Sequence, residues 1–489
     1  MKKIRCLFFL APLILAACQG TQENGKNNGQ NENENCIIKE NTTINFLCMA
    51  AKDYHKDLVK MLDSFHEKEP HVTVNLYNPQ GSGNYNMIEK YIIAGFFKED
   101  YPDLAQCYPD NVVKYLAQGY AVNLDPYLEN ETYGLTNEEN ADYISSFINE
   151  GKGYAVKGTY SLPFCKSTEL LYYNASLLLG IDLSSIDSSI NAGKPLDEEY
   201  LNNLNWEDLF EKLCPALYTY NENLPIDQKL FNTSKKHAIF TYDSDENCFI
   251  TLAKQYGYGY TSIDENGKGS IDFNNEGMKK IVSRLKNAKD KGYFHTKGSF
   301  GDYVSELFTT GQALFTISST AGLAYNYNWN SPFRIGVGKI PTPKGSHEYL
   351  SINQGPSICI LNHDDENRKL ASYLLWKHMT SSENSSNWSL ATGYMAIRQS
   401  SYSTPEYIDE INFNDKEDIY QTYVSDNLKR TIEVQNNLFN TPVFRGSSNA
   451  RTNVGLLTKE ALNAEKLDEK IDDLFSRYQQ DTLNYLQTK

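Results

Sequence analysis

Ile44-Asn45-Phe46-Leu47-Cys48-Met49 opens the stretch whose periodicity decides the fold. After this apolar run, Leu58, Met61, Leu62 and Phe65 fall at i, i+3, i+4 and i+7, one face of a helix that Pro70 ends. Val72, Val74 and Leu76 then alternate as in a strand. Ile88, Tyr91, Ile92 and Phe96 resume helical spacing, and Asp103 to Tyr108 follows Pro102 as another short strand. The order is β-α-β-α-β. Short buried strands separated by amphipathic helices predict a mainly parallel sheet with helices on both faces.

The same grammar recurs further along. Ala238 to Tyr242 reads as a strand, and Met278, Ile281, Val282 and Leu285 form a helical stripe that Gly292 closes as a C-terminal cap. Ala313-Leu314-Phe315-Thr316-Ile317 is a strand that runs into Ser318-Ser319-Thr320 and a helix start. Two α/β lobes account for the 489 residues, and no repeat with a solenoid period is present.

Composition agrees with a large globular chain. Hydrophobic residues make up 40% and charged residues 22%, enough to build cores and too few charges for general disorder. The formal charge of -16 argues against a protein that coats nucleic acid or anionic lipid, since both reward basic faces.

The N-terminus reads differently. Lys2, Lys3 and Arg5 precede an apolar run from Cys6 to Ala17, too short to span a membrane as a helix, so residues 1–17 are an export signal. Its end, Leu15-Ala16-Ala17-Cys18, resembles the lipobox of bacterial lipoproteins, which implies a lipid on Cys18 and an outer-surface location. Residues 18–43 form a polar tether of Asn, Gln, Gly, Glu and Lys with a reach of roughly 25–30 Å. Cys36, Cys48, Cys107, Cys165, Cys214, Cys248 and Cys359 are odd in number, dispersed and without C-x-x-C spacing, so they read as buried small residues rather than a disulfide framework or zinc site.

Enzyme motifs give only near misses. His66 and His71 lack the i, i+4 spacing for a shared zinc, and Asp243-Ser244-Asp245-Glu246-Asn247 starts like a calcium loop but has Cys248 where glycine is needed. No cofactor is implied.

The two lobes are joined by Ser161-Leu162-Pro163-Phe164-Cys165-Lys166-Ser167-Thr168-Glu169-Leu170-Leu171-Tyr172-Tyr173-Asn174. This stretch resembles the crossover of the family 1 extracellular solute-binding proteins of ABC importers. Gly311 to Gly322, Asn353-Gln354-Gly355-Pro356-Ser357 and Thr392-Gly393-Tyr394-Met395 resemble three further blocks of that family in the same order. The resemblance implies a two-lobed α/β fold of the periplasmic-binding-protein type (type II) with a ligand cleft between the lobes. It implies lobes of 44–160 plus 352–402 and of 161–351 plus 403–489. It also implies a monomer that delivers a small carbohydrate or polyol phosphate to a permease, binding no nucleic acid and performing no chemistry.

Similarity to the glycerol-3-phosphate-binding branch implies a ligand set. Gly83-Asn84-Tyr85 matches its G-N-Y, giving Tyr85, and Ser167, Ser318, Ser319, Gly355 and Tyr394 come from the blocks just quoted. Asp110 stands where that branch has a longer glutamate. Arg451 fits its C-terminal arginine, with Arg445 six residues away, and Ala396 replaces a proline, which should loosen that turn.

Physical chemistry reads these residues in two ways. Hydroxyls, backbone N–H groups and a guanidinium supply the directional bonds a polyol needs, and a strand ending in Ser318-Ser319-Thr320 before a helix offers N–H groups to an anion. The same serines also suit a plain helix N-cap, and among 35 tyrosines any one serves packing as readily as binding. Of four tryptophans, Trp206, Trp376 and Trp388 read as scaffold and Trp329 as a stacking surface. The alternatives are a secreted glycosidase with two cleft carboxylates and a surface adhesin. If Cys18 carries the anchor, Cys18→Ser should move the protein from the salt-washed membrane fraction to the soluble one. Membrane retention of the variant would place the anchor elsewhere.

Overall fold

A computed structural model describes residues 36–78, 85–95, 101–413, 415 and 417–487. The export segment, Cys18, most of the expected tether and Phe96 lie outside the described residues.

The strands are β1 (Thr42–Leu47), β2 (Val72–Tyr77), β3 (Leu104–Cys107), β4 (Leu162–Pro163), β5 (Glu169–Asn174), β6 (Phe240–Tyr242) and β7 (Thr261–Ile263). They continue as β8 (Gly269–Ile271), β9 (Phe294–Thr296), β10 (Phe315–Ser319), β11 (Ile335–Gly338), β12 (Ser351–Ile352), β13 (Ser357–Ile360) and β14 (Leu438–Phe439). One five-stranded sheet has the order β2-β1-β3-β13-β4 and the other β11-β5-β10-β6-β9. In the first, β2, β1 and β3 are parallel, while β13 is antiparallel to both β3 and β4. In the second, β10, β6 and β9 are parallel, while β5 is antiparallel to both β10 and β11. The sheets are thus mixed rather than mainly parallel. Each contains one reversed strand, β13 or β5, and that is the strand receiving the chain from the other sheet. A chain that crosses over arrives at the ends where the parallel strands finish, so it must run backwards.

Both sheets are covered on both faces, as the alternation within single strands shows. Ile44 and Phe46 of β1 pack with Leu58, Met61 and Phe65 of the helix His55–Lys68, whereas Leu47 faces Ile88, Ile92 and Tyr115 on the opposite side. Leu171 and Tyr173 of β5 face Trp206, Phe240 and Leu285, and Leu170 and Tyr172 face Phe308, Val337 and Tyr423. Trp206, Trp376 and Trp388 are buried in these cores, and the seven cysteines among the described residues are all buried with no disulfide among them. Pairing keeps Leu162-Pro163 in the first sheet, beyond the boundary expected at 160/161, because the chain turns toward the second sheet only after Cys165. Tyr407 likewise still packs in the first core, beyond 402.

Where the chain enters the body, Glu69 is 6% exposed and its carboxylate accepts hydrogen bonds from the backbone N–H groups of Ile37 and Ile38, each at 3.0 Å. The Thr42 N–H then donates to the His71 carbonyl at 2.9 Å, starting the β1–β2 ladder.

The two sheets are joined by crossing segments that pair with one another. Ser167 and Gln354 exchange backbone hydrogen bonds at 2.9 and 3.0 Å, the Cys165 N–H donates to the Pro356 carbonyl at 3.1 Å, and the Met395 N–H donates to the Lys166 carbonyl at 2.7 Å. Inside this joint the fully buried Lys166 ammonium pairs with Glu150 and donates to the Gly355 carbonyl at 3.0 Å. Glu150 also accepts from Asn353 at 3.1 Å and Ser357 at 3.0 Å. Gly355 sits at φ +93°, and a Cβ there would lie 2.1 Å from the Cys165 carbonyl oxygen. Gly355→Ala should therefore cost on the order of 2–4 kcal/mol, read as a lower urea midpoint with an unchanged slope. A midpoint equal to wild type would show that the joint tolerates separation of its strands.

Candidate ligand-binding cleft

Ser167, Ser318, Ser319, Gly355 and Tyr394 gather around this joint. Ser167 pairs with Gln354 across the joint, and Gly355 follows Gln354 in the second crossing segment. Ser318 and Ser319 end β10, where Ser318 pairs with Leu170 and is 5% exposed. The turn Thr392-Gly393-Tyr394 lies against them, since a Cβ on Gly393 would stand 3.3 Å from the Thr320 carbonyl oxygen. Tyr85 begins the helix Tyr85–Gly95, and its side chain lies outside the described residues.

The anion seat expected after β10 is not formed. A 3-10 helix of seven residues, Thr320–Asn326, follows the strand. The Thr320 N–H donates to the Thr168 carbonyl at 2.8 Å, and the Ala321 N–H donates to Ser319 Oγ at 3.3 Å, so the cap and the joint use both donors. The turn at Ala396 is also held despite the missing proline. Ala396 is fully buried, its carbonyl accepts from the Tyr402 hydroxyl at 2.8 Å, and the Ile397 N–H donates to Ser385 Oγ at 2.9 Å.

Asp110 and Arg451 approach each other from opposite lobes. Asp110 is in the first turn of the helix Pro109–Ala117 that follows β3, and Arg451 is in the helix Ser447–Asn463, packed chiefly on the helix Asp245–Gln255 of the second lobe. Ser447 Oγ donates to the Asp110 carboxylate, closing a direct contact between the lobes. Burial pushes the Asp110 carboxyl up, opposed by that hydrogen bond and by the charges of Arg451 and Lys114. Burial likewise raises the Tyr108 phenol to about 12 against the Arg451 charge, and raises Tyr260, which also feels both Asp110 and Arg451.

Sequence reasoning missed the polar group beneath Arg451. Its guanidinium donates to Asn247 Oδ1, and Asn247 Nδ2 donates to Glu169 Oε1 at 2.7 Å and Gln354 Oε1 at 2.8 Å. The Tyr242 hydroxyl donates to the other oxygen of Glu169 at 2.5 Å. Both residues were visible in the sequence under other readings, Glu169 within the crossover and Asn247 within the calcium-like run. That run is a helix start, with Ser244 Oγ accepting from the Asn247 N–H at 3.0 Å.

An aromatic patch completes the surroundings. Trp329 is 63% exposed, with its ring centroid 4.8 Å from Tyr327 and 4.6 Å from Tyr420, and Tyr325 beside it in the chain is 76% exposed. On the first lobe, Tyr54 packs edge-on against Trp388 and lies within electrostatic reach of Tyr325 and Tyr420, while Tyr394 lies within reach of Tyr54 and Tyr108.

The family model for the bacterial extracellular solute-binding proteins matches residues 60–414. The chain belongs to this family. Solved structures similar to this solute-binding protein include UgpB from Mycobacterium tuberculosis in complex with glycerophosphocholine. It has a TM-score of 0.67 at 15% identity, covering 91% of this chain and 98% of that one. The cyclic alpha-maltosyl-1,6-maltose binding protein from Arthrobacter globiformis has a TM-score of 0.66 at 13% identity, with 91% and 99% covered. The sugar-binding protein MalE from Xanthomonas citri has a TM-score of 0.63 at 15% identity, with 92% and 100% covered. At these identities they establish the two-lobed fold of this solute-binding protein. None of the curated proteins matches the chain by sequence.

Burial pushes the Glu169 carboxyl up to about 7, against the Tyr242 and Asn247 hydrogen bonds and the Arg451 charge, with Glu246 adding to the rise. The folded protein thus keeps a proton that an unfolded glutamate releases near its ordinary value of about 4.3. The folded state binds more protons across that window, so stability should fall as pH rises through it and level off above pH 7. Glu169→Gln should flatten this slope, gaining on wild type by on the order of 2–3 kcal/mol between pH 4.5 and pH 8. Parallel stability profiles for the two proteins would contradict the assignment.

Proposed function

We propose that this protein captures a hydroxyl-rich ligand, a small carbohydrate or polyol phosphate, between its lobes and passes it to the permease of an ABC importer. It does so as a monomer held at the outer membrane surface by a lipid on Cys18. Among the described residues no helix is long and apolar enough to cross a membrane. The observation that carries the reading is the meeting of Arg451 of one lobe with Asp110 and Tyr108 of the other, with Tyr394 and Tyr54 leading from Tyr108 toward Tyr325 and Tyr420. A guanidinium and phenols offer directional donors to hydroxyl or phosphate oxygens, and exposed rings offer a stacking face to a sugar. A ligand bridging both lobes stabilises the closed arrangement by touching each.

Family membership supports binding rather than catalysis. The glycerophosphocholine bound by the mycobacterial neighbour and the oligosaccharides named for the others mark the two ligand types to try first.

Calorimetric titration with glycerophosphocholine and with maltotriose separates them. For a phosphate ligand Arg451→Ala should weaken binding about tenfold to a hundredfold, corresponding to the loss of a charge-assisted hydrogen bond. For a sugar, Trp329→Ala should be the more damaging change. Wild-type affinity in both variants for whichever ligand binds would overturn the placement of the site. Small-angle scattering should show compaction at saturation, and an unchanged profile would count against closure.

A further inference from the structure

We propose that Asn247 is a positioning residue that couples the Arg451 guanidinium to the joint between the lobes. The proposal rests on Arg451 as a ligand contact and extends it to how occupancy is felt at the hinge. Asn247 is 4% exposed, and every polar atom of its side chain is engaged. Oδ1 accepts from Arg451, while Nδ2 donates to Glu169 on one side and to Gln354 on the other. Gln354 belongs to the crossing pair with Ser167, and its own Nε2 reaches the Thr168 carbonyl at 3.4 Å. A carboxamide is planar, so Oδ1 cannot follow a displaced guanidinium without moving Nδ2 and its two acceptors.

The backbone beneath Asn247 cannot absorb that motion. Its N–H is fixed by Ser244 at the start of the helix Asp245–Gln255. That helix packs closely on Ser447–Asn463, where a Cβ on Gly455 would stand 3.3 Å from Glu246 Oε2. Arg451 is one turn before Gly455 on the same face. A ligand that reorients Arg451 therefore acts on Gln354 through one rigid amide, and by linkage a change at the hinge acts back on Arg451.

Hydrogen exchange on the full chain, with no ligand added, tests this. Arg451→Ala should speed exchange several-fold in hinge peptides 163–168 and 352–357, with peptides of β1 and β2 as unaffected controls. Asn247→Leu should do the same, and the double variant should add nothing more. Unchanged hinge exchange in Arg451→Ala, or additive effects in the double variant, would overturn the proposal. If Asn247→Leu does not fold, Gln354→Met, which cuts only the hinge end, should abolish the effect of Arg451→Ala, and persistence of that effect would be equally fatal. Failure of Arg451 as a ligand contact registers separately, as wild-type glycerophosphocholine and maltotriose affinities in Arg451→Ala with the hinge effect intact.

Discussion

An ammonium group with no exposure to water, that of Lys166, sits where the chain passes from one sheet to the other, and the architecture is arranged around its single carboxylate partner, Glu150. Withdrawing both charges from water costs several kcal/mol per ion, repaid only when the pair is close and its remaining donors and acceptors are used. Both conditions are met. Lys166 also bonds the Gly355 carbonyl, and Glu150 also takes Asn353 and Ser357, so one ion pair fastens both crossing segments and the end of the helix Ser145–Glu150. A hydrophobic plug of equal volume would fill the space without fixing which segment meets which. The glycine at 355 belongs to the same solution, since only a residue without a Cβ lets the second crossing approach the first closely enough for Lys166 to reach its carbonyl.

The cleft inherits its electrostatics from that joint. The chain is acidic overall, and the region around Arg451 concentrates the same sign, with Asp110 and Glu169 within its field and Glu246 acting on Glu169. One guanidinium amid carboxyl groups is less an anion trap than a fixed donor whose direction is held by Asn247. Tyrosine hydroxyls from both lobes extend this donor surface, and burial pushes their phenols further above the ordinary value. Such a lining suits oxygen-rich ligands recognised by geometry rather than by net charge.

Much of the scaffold was legible because periodicity reports burial. The stripe Leu58, Met61 and Phe65 and the stripe Met278, Ile281, Val282 and Leu285 are buried as their spacing demands, and Gly292 takes its left-handed conformation directly after the helix. The reversed strands β5 and β13 were not legible, because a fully buried strand carries the same apolar run in either direction. Residues of the joint were legible where a motif marks a crossing segment, as at Ser167, Gly355 and Tyr394. Asn247 and Tyr260 were not, since their meaning arises only when Ser447–Asn463 packs against Asp245–Gln255. The serines after β10 show the opposite failure. Their pattern was read correctly as a helix start, yet the neighbouring crossover strand had already claimed the Thr320 N–H.

The carboxylate of Glu69 has a mechanical consequence. By gripping the N–H groups of Ile37 and Ile38, it ties the segment just ahead of β1 to the first lobe. Any tension on the chain ahead of Cys36 is borne by that clamp and then, in shear, by the six-residue parallel ladder of β1 against β2. The load path stops there. It bypasses the crossing segments, so the second sheet can swing about the joint while the first takes the strain.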